Sequence, residues 1–200
     1  MKLGDRSTLA DVAVAVGDAL RRADIRAVLT GGACASFYAA GAYQSVDADF
    51  VLVGACTTEA LDRAMATLGF ERDRDRYVQP EVPFFVEFPR GPLGIGEDFQ
   101  IRPVWKSRRG ARMLALSATD SCRDRLAAFY HWKDRQALAA AVAIALQERV
   151  RLTKVREWSQ AEGHRGAYEI FLADLARARK TTSAAPNART RRAKAGRRPR

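Results

Sequence analysis

Three groups of residues in this chain have the types and order that phosphate and metal chemistry needs. A β-rich run, Ile25 to Thr30, ends at Gly31-Gly32 and opens into a helix of small residues. Asp47-Ala48-Asp49 lies inside a strand-like segment, Val46 to Val53. Glu87 lies inside a later one, Val82 to Phe88. In a strand, residues two apart point to the same face, so Asp47 and Asp49 project side by side. Two carboxylates so placed repel unless a cation neutralises them. The apolar neighbours Val46, Phe50, Val51, Leu52 and Val53 argue for a central strand, where unpaired acids are costly. Hard oxygen donors suit Mg²⁺ or Mn²⁺, and Glu87 from a second strand completes a site for one or two ions. Glu97 and Asp98 are the alternative acids, in a segment read as loop.

Gly31 and Gly32 supply the other half. Glycines at a strand-to-helix turn let backbone approach a phosphate closely, and the new helix presents free N–H groups and a favourable dipole. A triphosphate held there would reach metals bound at Asp47 and Asp49.

Other elements must position these groups. Ser7 or Thr8 caps a first helix with Leu9, Val12, Val16 and Leu20 at helical spacing. The helix after the glycine pair spans about Ala33 to Ala40 and stops at Gly41. Thr57 or Thr58 starts another, ending near Gly69, and Glu71 to Arg76 is a charged edge hairpin. Pro89 to Gly96 is a loop by its Pro and Gly density, bordering the nucleotide site or serving only as a connector. Phe99 to Trp105 and Arg112 to Leu116 read as strands joined by the basic turn Lys106 to Gly110. That turn is either a solvated hairpin or a phosphate clamp made by Lys106, Arg108 and Arg109. Ser117 and Asp120 have capping-box-like spacing. Helical pattern then continues to about Arg179, with breaks near Trp132-Lys133-Asp134 and Glu162-Gly163. Tyr130, His131 and Trp132 read as packing in that helical core.

The fold class that follows is α+β: a mixed sheet flanked by helices over residues 1–116, then a helical region over 117–179. The net charge of +11 belongs mostly to the end of the chain. Lys180, Arg189, Arg191, Arg192, Lys194, Arg197, Arg198 and Arg200 are followed or separated by no acid, and without them 26 basic residues face 23 acidic ones. Residues 180–200 are expected to be a disordered basic tail that contacts nucleic acid through phosphates or only solvates the chain. No aromatic residue there offers base stacking.

Three widely spaced cysteines, Cys34, Cys56 and Cys122, and no CxxC pair predict a reduced, cytoplasmic protein without structural zinc. The longest apolar run, Ala137 to Leu146, is too short to span a bilayer and reads as a buried helix. Asp5, Asp11 and Asp18 interrupt the N-terminal apolar residues, unlike a signal peptide.

The runs Leu29-Thr30-Gly31-Gly32, Ser45-Val46-Asp47-Ala48-Asp49-Phe50 and Val86-Glu87-Phe88 together resemble the DNA polymerase β-type nucleotidyltransferase superfamily. The resemblance is closest to small bacterial nucleotidyltransferase-like proteins, including toxin components of abortive-infection and toxin–antitoxin systems. It covers roughly Ile25 to Phe88. Asp124-Arg125-Leu126 and Tyr130 to Gln136 resemble the helical region that often follows such a catalytic domain. The resemblance implies that Asp47, Asp49 and Glu87 bind Mg²⁺ or Mn²⁺ and carry catalysis. It implies that Gly31, Gly32 and Ser45 bind an NTP, whose nucleoside monophosphate passes to RNA, a protein side chain or a small molecule. Ala33 stands where many active members have a hydroxyl or another polar residue, and the gap from Gly32 to Asp47 is long. Those departures keep a catalytically inactive nucleotide- or partner-binding module open as the alternative. A nucleic-acid-binding protein working through its tail is the third reading.

Overall fold

A computed structural model describes residues 2–184 of the chain, without the side chains of 183 and 184. Among the described residues, seven strands form one mixed sheet and seven helices pack around it. The first helix, α1 (Leu9–Arg22), starts at Thr8 with a full capping box: the Thr8 hydroxyl accepts from the Asp11 N–H while the Asp11 carboxylate accepts from the Thr8 N–H. Three-residue β1 (Ala27–Leu29) follows, then α2 (Gly31–Tyr38) and β2 (Asp47–Leu52). The glycine pair thus lies within the first turn of α2, two residues earlier than the Ala33 start read from sequence. The helix also ends at Tyr38, short of Gly41.

The charged hairpin of β3 (Glu71–Asp73) and β4 (Arg76–Val78) comes after α3 (Thr58–Ala66) and lies at one edge of the sheet. Next comes β5 (Phe85–Glu87), shorter than the Val82–Phe88 run because Pro83 has no N–H for a ladder. The last two strands are β6 (Val104–Arg108) and β7 (Ala111–Ala115), which gives the order β3-β4-β5-β2-β1-β7-β6. The first of these two strands starts later than its sequence suggests. Phe99 to Pro103 forms no strand, and pairing begins after Pro103, at Val104. Lys106 and Arg108 therefore belong to β6. The turn is only Arg109-Gly110, both at positive φ (49° and 81°), the two-residue geometry that matches strand twist.

The helical part contains α4 (Ala118–Trp132), α5 (Arg135–Gln147), α6 (Leu152–Ala161) and α7 (Arg165–Ala184). Ser117 caps α4 by accepting from the Asp120 N–H. Lys133 takes the left-handed conformation between α4 and α5, and Asp134 caps α5. The break before α7 comes at Glu162-Gly163 as its sequence suggests, whereas α7 itself continues through Ala184, past Arg179. Residues 185–200, most of the basic tail, lie outside the described residues.

One continuous apolar core joins the sheet to this helical part. It runs from Val12, Val16 and Leu20 through Val28, Leu29 and Phe50 to Leu126, Ile144 and Phe171. The Ala137–Leu146 run is mostly buried within α5. Among the described residues, no helix is long and apolar enough to cross a membrane. Buried Arg123 pairs with Asp120 (2.9 Å) and Asp98 (2.5 Å) and stacks on Trp158, so the loop after β5 is fastened to α4 and α6.

Two aromatic expectations divide. Tyr130 is buried, stacked on Trp158 and His164, with its hydroxyl 2.8 Å from Ser159 Oγ. His131 and Trp132 are exposed, Trp132 at 77%, because α4 turns them away from the face that Tyr130 buries.

Candidate active site

The carboxylates meet because β2 and β5 run parallel in a fixed register. Asp47 lies opposite Phe85, Ala48 opposite Val86, and Asp49 opposite Glu87. Ala48 and Val86 are fully buried on one face, so strand alternation places Asp47, Asp49 and Glu87 together on the other. Each of the three offers a carboxylate oxygen, and those oxygens all lie within 4.8 Å of one another. All three residues are half-buried. Glu97 and Asp98 stand outside this cluster: Asp98 is bound to Arg123, and the Glu97 N–H donates to Glu162.

The glycine pair closes the same site from β1. The Thr30 N–H donates to the Asp49 carbonyl (2.9 Å), which brings the start of α2 beside β2. Gly31 has φ +64°, and a Cβ there would overlap Asp49 Oδ2. A Cβ on Gly32 would stand 2.5 Å from Ser45 Oγ and 3.3 Å from the Tyr43 hydroxyl. Both positions thus require glycine, because side-chain oxygens occupy the space. Ser45 is itself fixed twice. Its hydroxyl donates to Asp47 Oδ1 (2.6 Å), and its N–H donates to Ser36 Oγ (3.1 Å).

Crowding sets the electrostatics. Burial and then the charges of Asp47 and Glu87 push the Asp49 carboxyl up to about 6, with Arg125 opposing. Burial, Asp47 and Asp75 also raise Glu87, and Arg76 opposes. Such a cluster is unfavourable for three anions alone and favourable for a divalent cation. The donors are all hard carboxylate oxygens, which fits Mg²⁺ or Mn²⁺.

Several neighbours escaped the sequence reading. Tyr43 and Ser36 border the glycine pair, and Arg125 and Asp124 come from α4. The only sequence signal for the last two was the resemblance of the Asp124-Arg125-Leu126 run. Other candidates fall elsewhere. Arg108 and Arg109 bind Asp11 of α1 (2.8 and 3.5 Å), and Lys106 lies over the Tyr38 ring, so the basic hairpin is tied into the fold rather than forming a phosphate clamp. The Pro89–Gly96 loop is a connector. Gly91 meets the Leu52 end of β2, away from the carboxylates, and Ile95 accepts from Trp158 Nε1. A cavity of about 550 Å³ between α1 and α3, lined by Asp18, Arg22 and Arg63, includes none of the three carboxylates.

No protein-family model matches the sequence, and no curated protein does. Among solved structures, the chain is similar to an antigenic nucleotidyltransferase-like protein from Paracoccidioides brasiliensis. That match has a TM-score of 0.59 at 16% identity and covers 92% of this chain and 93% of the other. It is also similar to the antibiotic-resistance factor ANT(2'')-Ia, with a TM-score of 0.46, 12% identity and coverage of 86% and 97%. With a mixed seven-stranded sheet and a match over nearly its whole length, the chain has the nucleotidyltransferase-like fold.

Proposed function

We propose that this chain is a metal-dependent nucleotidyltransferase that moves a nucleoside monophosphate from an NTP to a hydroxyl or phosphate acceptor. The observation that carries this reading is the convergence of Asp47, Asp49 and Glu87 within 4.8 Å, directly beside a glycine pair that opens a helix. In the reaction, the acceptor oxygen bonds to the α-phosphorus, the bond from that phosphorus to the bridging oxygen breaks, and pyrophosphate leaves. Mg²⁺ or Mn²⁺, when bound by the three carboxylates, supplies charge stabilisation for the attacking and leaving oxygens.

The chain's own residues do the rest. The backbone at Gly31 and Gly32 approaches the phosphates and offers the free N–H groups of α2. Ser45 holds Asp47 in position through its hydroxyl. Glu87, whose carboxyl is raised above its ordinary value, accepts the proton of an acceptor hydroxyl. Free Cys34, Cys56 and Cys122 support a reducing, cytoplasmic setting. The resemblance to bacterial toxin-like proteins and the basic end of the chain make RNA and protein the acceptor classes to examine first.

The test is incubation with each α-labelled NTP, Mg²⁺ and a cell extract, beside Asp47→Ala/Asp49→Ala. Label on a macromolecule or small molecule that falls at least 10³-fold in the variant is expected, on the scale of losing a main electrostatic contribution to the transition state (~4 kcal/mol). Mg²⁺ should also raise the melting temperature of the parent protein and leave that of the variant unchanged. Metal and nucleotide binding with no turnover would instead identify an inactive binding module, the reading that Ala33 favours.

A further inference from the structure

Two arginines flank the carboxylate cluster, and their surroundings differ. Arg76 pairs across the sheet with Glu87, is held by Asp73 at 3.5 Å and lies 5.0 Å over the Phe85 ring. It stands at the Glu87 end, already engaged. Arg125 comes from α4, which packs against α2, and its charge acts on both Asp49 and Tyr43. Its Nε and Nη2 both donate to a single oxygen, Asp124 Oδ2 (3.0 and 2.8 Å). Among the described residues Nη1 takes no protein acceptor. The Arg125 side chain is mostly buried, at 15% exposure, with donor capacity left over.

The Tyr43 hydroxyl and Ser45 Oγ both approach the open side of Gly32. Ser45 spends its proton on Asp47, whereas the Tyr43 hydroxyl has no hydrogen-bond partner among the described residues. Ala33, the next residue of α2, is buried and brings no polar group. Polar contacts over the glycine pair therefore have to come from the α2–β2 loop and from α4. An anion resting on Gly31 and Gly32 would meet the α2 amides from below, Tyr43 from the loop and Arg125 from α4. At the Glu87 end, Arg76 is held by Asp73, and the charge of Asp75 acts on Glu87.

We infer that Arg125 and Tyr43 are positioning residues for the β- and γ-phosphates of a nucleotide that rests on the glycine pair. This rests on the reading of the site as a nucleotidyltransferase centre. A guanidinium suits the role because its planar fork matches phosphate oxygens, and the Tyr43 hydroxyl adds a neutral donor.

Inorganic tripolyphosphate and Mn²⁺ test this on the full chain without knowledge of the base or acceptor. Tripolyphosphate affinity, measured calorimetrically with Mn²⁺ present, should fall at least tenfold in Arg125→Ala and several-fold in Tyr43→Phe, with partial recovery in Arg125→Lys. Mn²⁺ affinity alone, measured by electron paramagnetic resonance, should stay the same or tighten in Arg125→Ala, because a positive charge near Asp49 is removed. Loss of both affinities together in Arg125→Ala and in Tyr43→Phe would mean that the residues only hold the site in shape, which overturns the inference. Parent protein that binds tripolyphosphate while all three variants bind it equally well would overturn the inference and leave the functional reading standing. Parent protein that binds neither probe would overturn both.

Discussion

At the residue scale, the glycine pair is the most exacting feature of the site. Gly31 combines a left-handed backbone with direct contact against the Asp49 carboxylate, so a side chain is excluded twice. Left-handed backbone alone costs an L-residue about 1–2 kcal/mol. Gly31→Ala should therefore lower stability by at least that amount in chemical denaturation, and displace Asp49 enough to lose most transfer activity. Full activity in a well-folded Gly31→Ala protein would contradict the close approach of α2 and β2. Asp47 and Asp49 themselves were legible from alternation and an apolar context. Glu87 was legible only as an acid in a strand-like run, because nothing in its spacing states which strand it pairs with.

At the element scale, the parallel register of β2 with β5 is what turns three acids into a site, and α1 is what keeps the far side of the sheet in place. Asp11 of α1 is nearly fully buried and does two jobs: it closes the capping box with Thr8 and binds Arg108 of β6. Burial alone would raise its carboxyl, but hydrogen bonds from Thr8 and Arg108 outweigh that and hold it at about 2, below the ordinary 3.8. A carboxyl lowered in the folded state stabilises the fold above its unfolded value. That contribution is lost as pH falls from about 4 to about 2. Asp11→Asn should be less stable than the parent protein at pH 7, and the difference should shrink as the pH drops through this window. Urea unfolding at pH 7, 4 and 2.5 measures it, and a constant difference would refute the ion pair. The hairpin arginines looked like candidate phosphate ligands in sequence because a run of basic residues reads the same whether or not an acid waits across the sheet.

At the scale of the whole molecule, charge and fold are separable. The chain carries +11, yet its basic excess lies largely in the last twenty-one residues. Removing residues 185–200 should leave the melting temperature unchanged. It should weaken binding to single-stranded RNA at low salt and flatten the dependence of that binding on salt, because fewer counterions are released per complex. Fluorescence anisotropy with a labelled oligoribonucleotide at several salt concentrations is the measurement. Undiminished binding by the shortened chain would place the RNA contact within residues 1–184.

The sequence by itself determined the local elements and the chemistry they carry. Thr8, Ser117 and Asp134 start their helices, Lys133 and Gly163 mark breaks, and Gly31, Gly32, Asp47 and Asp49 have the types and order that the proposed phosphate and metal chemistry would use. These are short-range properties, set by backbone preference, hydrogen-bonding side chains and alternation within a few residues. Only the tertiary structure decided which groups meet. The pairing of Asp49 with Glu87, the approach of Arg125 from α4, the position of Tyr43 over Gly32 and the capture of Arg108 by Asp11 all join residues distant in the chain. Burial of a shared apolar core fixes those distances, and no local pattern encodes them.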